Sequence, residues 1–505
     1  MAASFHIEHF GCRAARADGE AIAERLRAGG CCARQLPEAD VVIVNTCSVT
    51  AEADRAARAF IRRARRLNPE ARILATGCYA QRAPQELAAL PGVSAVIGNS
   101  HKAFAPEIAL SLLEASPRRT VSTPLQPMNG FVQIQTAIQT AQAGLAPPQG
   151  FILADDRFAH SFLEEAQLLP GTQTRPNLKI QEGCGNRCSF CVIPQTRGAS
   201  RSLSADSILR QVQGFVAAGG NELVLSGINL GRWGRDLAPT PAAPATTLPL
   251  LVRQIFEQTG LPRLRLSSIE PMDWDADLIA LMSEFGGDPS GSPATGPRRW
   301  GDRRLARHAH LPLQSGSDAV LRRMHRRYRP WHYAEKVAAL LRAAGPDLTL
   351  GADVMAGFPG ETDREFEETL ALIRALPFAY LHLFPFSPRP GTRAWTLHAE
   401  HPVPSPIVEE RMAALRSLAA EKSLAHRRQF IGRALEAITL HSPPALAALG
   451  RTAALTENFL PVELDAALPS NRLVRILVTG LTPDGALAGA ETPSAFVPPA
   501  LLAAV

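Results

Sequence analysis

Short apolar runs alternate with longer amphipathic stretches along most of the chain. In the first 115 residues the runs are Phe5–Phe10, Val41–Val44, Ile73–Ala75 and Val93–Ile97. Between them, Gly19–Ala28 and Glu52–Leu67 carry helical spacing, the second with arginines along one face. Such alternation predicts a parallel sheet with helices on both faces. Residues 116–176 lose the rhythm: Pro, Gln, Ala and Thr dominate. They read as an extended linker, with a helix expected over Phe151–Leu169 around Phe162–Ala166. The rhythm returns with strands expected at 178–181, 222–226, 263–268, 308–313, 348–355 and 379–385. Helices are expected between them at 205–218, 249–258, 275–285, 332–343 and 363–376. Six β/α units predict a partial (β/α)6 barrel whose active site sits at the carboxyl ends of the strands. Residues 236–247 and 286–301, rich in Pro, Gly and Ala, read as surface insertions. Residues 405–429 follow as a charged helix. Short strands at 435–440, 452–457, 473–479 and 486–488 predict a small C-terminal β-barrel of the kind that grips nucleic acid. The expected class is α/β: a parallel α/β domain (1–115), a linker (116–176), the partial barrel (177–404), a connecting helix (405–429) and the small barrel (430–490).

Composition narrows the setting. The chain has 505 residues, enough for roughly three domains, with 46% hydrophobic and 20% charged residues, which suits packed cores. No apolar run reaches the length of a membrane span, and the N-terminus lacks the apolar core of a signal peptide. A cytoplasmic protein is expected, and in that reducing setting eight cysteines point to metal binding or catalysis rather than disulfides. The net charge of +6 is compatible with nucleic acid. Only Lys102, Lys179, Lys336 and Lys422 are lysines; the other basic residues are Arg, suited to phosphate forks. An Ala- and Arg-rich base composition explains the same bias equally well.

The cysteines carry the chemistry. Cys184, Cys188 and Cys191 form a C-x3-C-x2-C run directly after an expected strand. Cubane clusters usually take four Cys. Three thiolates leave one iron open, as a catalytic metal keeps one position vacant. Zinc prefers paired C-x2-C spacing and a nearby fourth ligand, so a cluster is the better reading. Cys12, Cys47 and Cys78 each follow a different strand of the first domain, and ligands gather at the carboxyl ends of such strands. One buried Cys would be ordinary; three at equivalent strand ends suggest one site. Cys31 and Cys32 lie after a helix and read as structural. At the barrel's strand ends stand Gly227 and Asn229, Glu270, Gln314 and Asp353, candidates for cofactor or substrate contact. Ser317 and Thr362 read as helix N-caps, and His308 and His310 as packing or hydrogen-bonded residues rather than metal ligands. Arg427, Arg428, Arg433, Arg472 and Arg475 could follow a phosphate backbone, although a solvated basic surface explains them too.

The Cys184–Cys191 run resembles the signature of radical S-adenosylmethionine enzymes. The whole chain resembles the tRNA methylthiotransferases on Val44-Asn45-Thr46-Cys47-Ser48-Val49-Thr50, Thr76-Gly77-Cys78-Tyr79-Ala80-Gln81 and Lys179-Ile180-Gln181-Glu182-Gly183-Cys184. Further matches are Arg197-Gly198, Ser267–Pro271, Leu311–Asp318 and Gly357–Thr362. The resemblance implies two [4Fe–4S] clusters, one on Cys12, Cys47 and Cys78 and one on Cys184, Cys188 and Cys191. It also implies S-adenosylmethionine as cofactor, with Gly227, Asn229, Glu270, Gln314 and Asp353 as its candidate contacts, and a TRAM-like C-terminal barrel. The implied reaction replaces the C2 hydrogen of a modified adenosine in tRNA by a methylthio group. A monomer served by a separate electron-donor protein is expected. Thr50, with Ala51-Glu52-Ala53-Asp54 after it, resembles the branch acting on N6-threonylcarbamoyladenosine; the isopentenyladenosine branch typically has Arg there. Action on isopentenyladenosine tRNA or on a ribosomal protein, and a non-catalytic zinc and RNA-binding protein, are the alternatives.

Overall fold

The computed structural model describes residues 3–114, 151–158, 174–237, 246–286 and 303–492. They fold as two compact units. The first comprises residues 1–166, 182–201 and 387–395, and the second 167–181, 202–386 and 396–505.

In the first unit, six strands form one parallel sheet: β1 (Ser4–His9), β2 (Cys32–Ala33), β3 (Val41–Thr46), β4 (Arg72–Gly77), β5 (Val93–Gly98) and β6 (Phe151–Leu153). Their order is β2-β1-β3-β4-β5-β6. β3 reads Val-Val-Ile-Val-Asn-Thr and is buried along its whole length. This is the continuous apolar run expected of a parallel strand covered on both faces. One core packs Phe5, Ile22, Leu26, Ile43 and Leu74, and the other Val42, Val44, Ala57, Ile61 and Ile73. Helix Ala51–Leu67 is fixed at its start by Thr50, whose hydroxyl accepts from the Ala53 N–H at 3.2 Å. Glu52 and Asp54 in its first turn and Arg65 and Arg66 in its last suit the helix dipole. Cys31 joins the first core, as a structural cysteine would. β6 corrects the expectation of a helix starting at Phe151: Phe151 and Leu153 are buried and pair with β5. Residues Phe162–Ala166 lie outside the described residues.

The second unit contains the six expected barrel strands, β7 (Asn177–Glu182), β9 (Glu222–Gly227), β10 (Arg263–Leu266), β11 (His308–His310), β12 (Thr349–Ala356) and β13 (Phe378–Pro385). A further strand, β8 (Arg201–Ser202), was not expected and lies between the first two in the chain. β7 ends, and β8 begins, where the chain passes to and from the first unit. The sheets run β10-β9-β7-β8 and β11-β12-β13, and a parallel bridge from Leu264 to Leu305 adjoins β10 and β11. Six parallel strands with helices between them make the partial barrel. Leu264, Ala309, Leu350 and Ala352 are aliphatic and buried. The alternate positions are polar: Arg263, Arg265, His308, His310, Asp353, Tyr380 and His382. Thr362 caps the helix Asp363–Ala375 in a reciprocal box with Glu365. Ser317 occupies the N-cap of Asp318–Arg323, yet its hydroxyl makes no cap hydrogen bond.

The helix Ser405–Arg428 leads to five strands closed into a barrel: β14 (Ala434–Thr439), β15 (Thr452–Thr456), β16 (Pro461–Leu464), β17 (Leu473–Leu481) and β18 (Leu487–Glu491). Phe430, Val462, Ile476 and Leu487 are among its core residues. β16 was not expected; it is four residues long and opens with Pro, which weakens any strand signal. The turn from β15 to β16 reaches the polar side of the partial barrel. There Phe459 lies 4.3 Å from His308 and 5.7 Å from Tyr380, centroid to centroid. Glu457 is fully buried between Arg307, at 2.7 Å, and Arg303, at 3.2 Å.

Candidate functional site

All eight cysteines fall within the first unit, and six of them form the two expected sets. β1, β3 and β4 are neighbours in the sheet, and Cys12, Cys47 and Cys78 follow their carboxyl ends. Cys12 is exposed at the N-cap of helix Arg13–Ala28, while Cys47 and Cys78 are buried. Gly11 makes this approach possible: its φ is +106°, and a Cβ there would lie 2.5 Å from the Cβ and 2.6 Å from the Sγ of Cys47. Burial, reinforced by the charges of Cys78 and Cys12, pushes the Cys47 thiol up to about 12. Three crowded thiols resist ionising together, and a bound metal overcomes that by taking them as thiolates.

The second set lies in one loop. Cys184 N–H donates to Gly198 O at 3.1 Å, and Cys191 N–H to Cys188 O at 3.2 Å. All three thiols are half-buried. The loop is tied down by Gln195, whose amide donates to Gly391 O at 2.8 Å, and by Ala394 N–H, which donates to Ser189 O at 2.8 Å.

A charged knot surrounds Cys78 of the first set. Arg197, six residues after Cys191, is fully buried and donates from Nε to Cys78 Sγ at 3.3 Å. Its Nη1 donates to Glu182 at 2.7 Å and Asp18 at 3.1 Å. Lys102 binds the same two carboxylates. Burial opposes the Arg197 charge, but Cys78, Glu182 and Asp18 outweigh it and raise its pKa well above the usual value. Asn99 adds a donor to Cys78 Sγ at 3.4 Å. Arg197 Nη2 is buried and has no hydrogen-bond partner among the described residues. An unspent donor beside a thiol suits the sulfide of an iron–sulfur cluster, and the donor set as a whole fits such a group. The sequence offered Arg197 and Glu182 only as motif letters, Asp18 only as a departure from the Glu usual in the resembled family, and Lys102 only as one of four lysines; Asn99 gave no signal.

The five strand-end candidates fall into three places in the second unit. Gly227 and Asn229 meet Gln181: a Cβ on Gly227 would lie 2.9 Å from the Gln181 Cβ, and Asn229 N–H donates to Gln181 Oε1 at 2.7 Å. Glu270 ion-pairs with Arg326. Gln314 lies beside Asp353, its N–H donating to Asp353 O at 2.7 Å. In the small barrel, Arg433 pairs with Asp347 at 2.7 Å and Arg472 with Glu491 at 2.8 Å. Two of the five arginines expected along a phosphate backbone thus already have carboxylate partners.

Comparison with known proteins adds the lineage. Residues 4–98 match the model of the uncharacterized protein family UPF0004, and residues 301–373 that of the radical SAM superfamily. The threonylcarbamoyladenosine tRNA methylthiotransferase MtaB of Bacillus subtilis is 33% identical over 86% of this chain and 84% of its own. The MtaB of Aquifex aeolicus is 31% identical over 87% and 91%. The tRNA-2-methylthio-N(6)-dimethylallyladenosine synthase of Novosphingobium aromaticivorans is also 31% identical, over 86% of each chain. Among solved structures, the radical S-adenosylmethionine methyltransferase TsrM of Kitasatospora setae has a similar fold. Its TM-score is 0.52 at 15% identity, covering 79% of this chain and 78% of that one.

Proposed function

The chain belongs to the radical-SAM tRNA methylthiotransferase family, and from that premise we propose that it places a methylthio group on C2 of N6-threonylcarbamoyladenosine, beside the anticodon of tRNA. The observation that carries this reading is the gathering of two cysteine triplets in one compact unit, with Arg197 bonded to Cys78 and following the second triplet in the chain. Cys12, Cys47 and Cys78 would hold one [4Fe–4S] cluster, and Cys184, Cys188 and Cys191 the other. When bound, these clusters and S-adenosylmethionine supply the methyl group, a site for the inserted sulfur and the hydrogen-abstracting radical that an inert aromatic C–H requires.

The protein's own part is to bind, orient and tune. Arg197 and Asn99 donate to Cys78 and so draw electron density from its sulfur. Asp18, Glu182 and Lys102 hold the Arg197 guanidinium in place. Gly227, Asn229, Glu270 and Gln314 are our candidate contacts for S-adenosylmethionine; Asp353, expected among them, is held instead by His310 and His382. A separate one-electron donor is required, and the working place is the cytoplasm, where tRNA is found.

Relatives acting on dimethylallyladenosine match almost as well, so that substrate is the second reading. Nucleoside mass spectrometry of tRNA from a host lacking this activity, with and without the gene, separates them. A 2-methylthio-threonylcarbamoyladenosine product is expected. A 2-methylthio-dimethylallyladenosine product would keep the reaction and replace the substrate.

A further inference from the structure

One carboxylate in the second unit is set between two imidazoles. His310 ends β11, Asp353 lies in β12 and His382 in β13. Asp353 stands opposite His382 in register, and His310 opposite Gly351. Residues 351 and 353 point to one face of the strand, so the three side chains share it. His382 Nδ1 lies 3.2 Å and His310 Nε2 3.4 Å from the same oxygen, Asp353 Oδ1. Burial would raise the Asp353 carboxyl, but the two imidazoles beside it outweigh that and hold it well below the usual range. Tyr380 stacks on His310, with centroids 5.8 Å apart, and Gly351 leaves room for its ring.

Two observations mark this cluster as unfinished. His310 is 6% exposed, yet neither ring nitrogen makes a hydrogen bond of good geometry among the described residues. A buried polar group left so is destabilising. Beside it, Gln314 holds a φ of +64°, a left-handed conformation uncommon for a non-glycine residue. His382 is exposed, so the cluster is open to a ligand on that side.

We propose that His310, Asp353 and His382 form the subsite that reads the N6 substituent of the adenosine, selecting a ureido-linked amino acid over a hydrocarbon. The inference rests on the threonylcarbamoyl reading above. That substituent offers urea N–H donors, a urea carbonyl, a hydroxyl and a carboxylate. A dimethylallyl group offers none and would leave the His310 ring nitrogens covered without a hydrogen bond. Sites built to hydrogen-bond a substrate reject apolar analogues far more strongly than apolar pockets reject one another's ligands. Two His and one carboxylate can also hold a divalent cation. Metal-bound His, however, normally gives its second nitrogen to a protein acceptor, and the described residues provide His310 with none.

The test uses reconstituted holoenzyme and three anticodon stem-loops, carrying threonylcarbamoyladenosine, glycylcarbamoyladenosine or dimethylallyladenosine. His382→Leu, at an exposed position, and His310→Asn are compared with wild type. We expect each variant to raise KM for both carbamoyl substrates about tenfold or more, with kcat within about twofold. The preference over dimethylallyladenosine should shrink by about tenfold or more. Unchanged KM ratios in both variants overturn the proposal. So does stoichiometric Co2+ binding, read from its d–d absorption, that His382→Leu abolishes while substrate preference is unaltered. If wild type itself methylthiolates only dimethylallyladenosine, the substrate reading fails, whatever the variants do.

Discussion

Around Cys78 in the first unit, Arg197 and Lys102 share Asp18 and Glu182, two cations for two carboxylates. Around Glu222 in the second, Arg265, Arg175 and Arg263 approach one carboxylate at 3.0, 3.5 and 3.6 Å, and Arg263 reaches on to Glu436 at 2.8 Å. Both groups are buried, and both pay desolvation. The first contains a thiol, so its charge balance bears directly on a proposed cluster ligand. The second contains no thiol and joins β9 and β10 to β14. Buried charge next to Cys78 is thus placed to govern chemistry, while the same kind of network at Glu222 governs assembly of the second unit.

The largest effect should come from the thiols themselves. Cys78→Ala and Cys188→Ala should each reduce methylthiolation to background and remove roughly half of the iron and sulfide. Anaerobic metal analysis of both variants checks this; loss of all iron from either would show that the two sets do not assemble independently. Next comes Arg197→Met, which leaves two buried carboxylates with Lys102 alone. It should cost about 3–5 kcal/mol in denaturant unfolding of the apo-protein. It should also alter the electron paramagnetic resonance signal of the cluster on Cys12, Cys47 and Cys78. Arg197→Lys should recover part of the stability and not the signal, because Lys lacks the fork. If the signal of Arg197→Met matches wild type, the distinction between the two knots is lost.

Glu222→Gln should destabilise the second unit without altering iron content. Burial would raise the Glu222 pKa, but Arg265, Arg175 and Arg263 outweigh it and lower it. Its contribution is therefore fully present above the ordinary glutamate range and fades as the pH falls through the lower folded value. Unfolding of the variant should depend less on acid than that of wild type. The smallest effect belongs to His426, whose pKa burial lowers to about 4 from 6.5. Between these values the unfolded chain binds more protons, so stability should rise with pH across that window, by about 3 kcal/mol in all. A melting-temperature series in His426→Gln should lose that slope; an unchanged slope would place its origin elsewhere.

What the sequence disclosed follows the range of the interactions. Cys184, Cys188 and Cys191 could be read from spacing because one loop holds them. Cys12, Cys47 and Cys78 could be read because strand periodicity reveals strand ends, and parallel topology brings those ends together. Thr362 was legible as a cap because its partner Glu365 is three residues away. The bond from Arg197 to Cys78 spans 119 residues, and the pair Lys102–Glu182 spans 80. No local pattern announces such pairs. His310 read as a packing or hydrogen-bonded residue, and its neighbours Asp353 and His382 could not be named because the sequence does not display the register that sets them beside it. β6 was hidden in a segment of linker composition, since an edge strand of three residues carries little periodicity of its own.

The turn at Glu457–Phe459 bears on how freely the small barrel can be exchanged. Phe459 sits against His308 and Tyr380, the Arg265 guanidinium lies 5.2 Å over its ring, and Arg307 and Arg303 find their carboxylate in Glu457. A chain cut after the helix Ser405–Arg428 would strip that carboxylate from two guanidiniums and uncover the ring-lined polar face of the half-barrel. The C-terminal barrel is therefore a graft rather than an appendage. A chimera that borrows the small barrel of a relative has to bring a matching turn with it, or change Arg303, Arg307 and His308 to suit the newcomer.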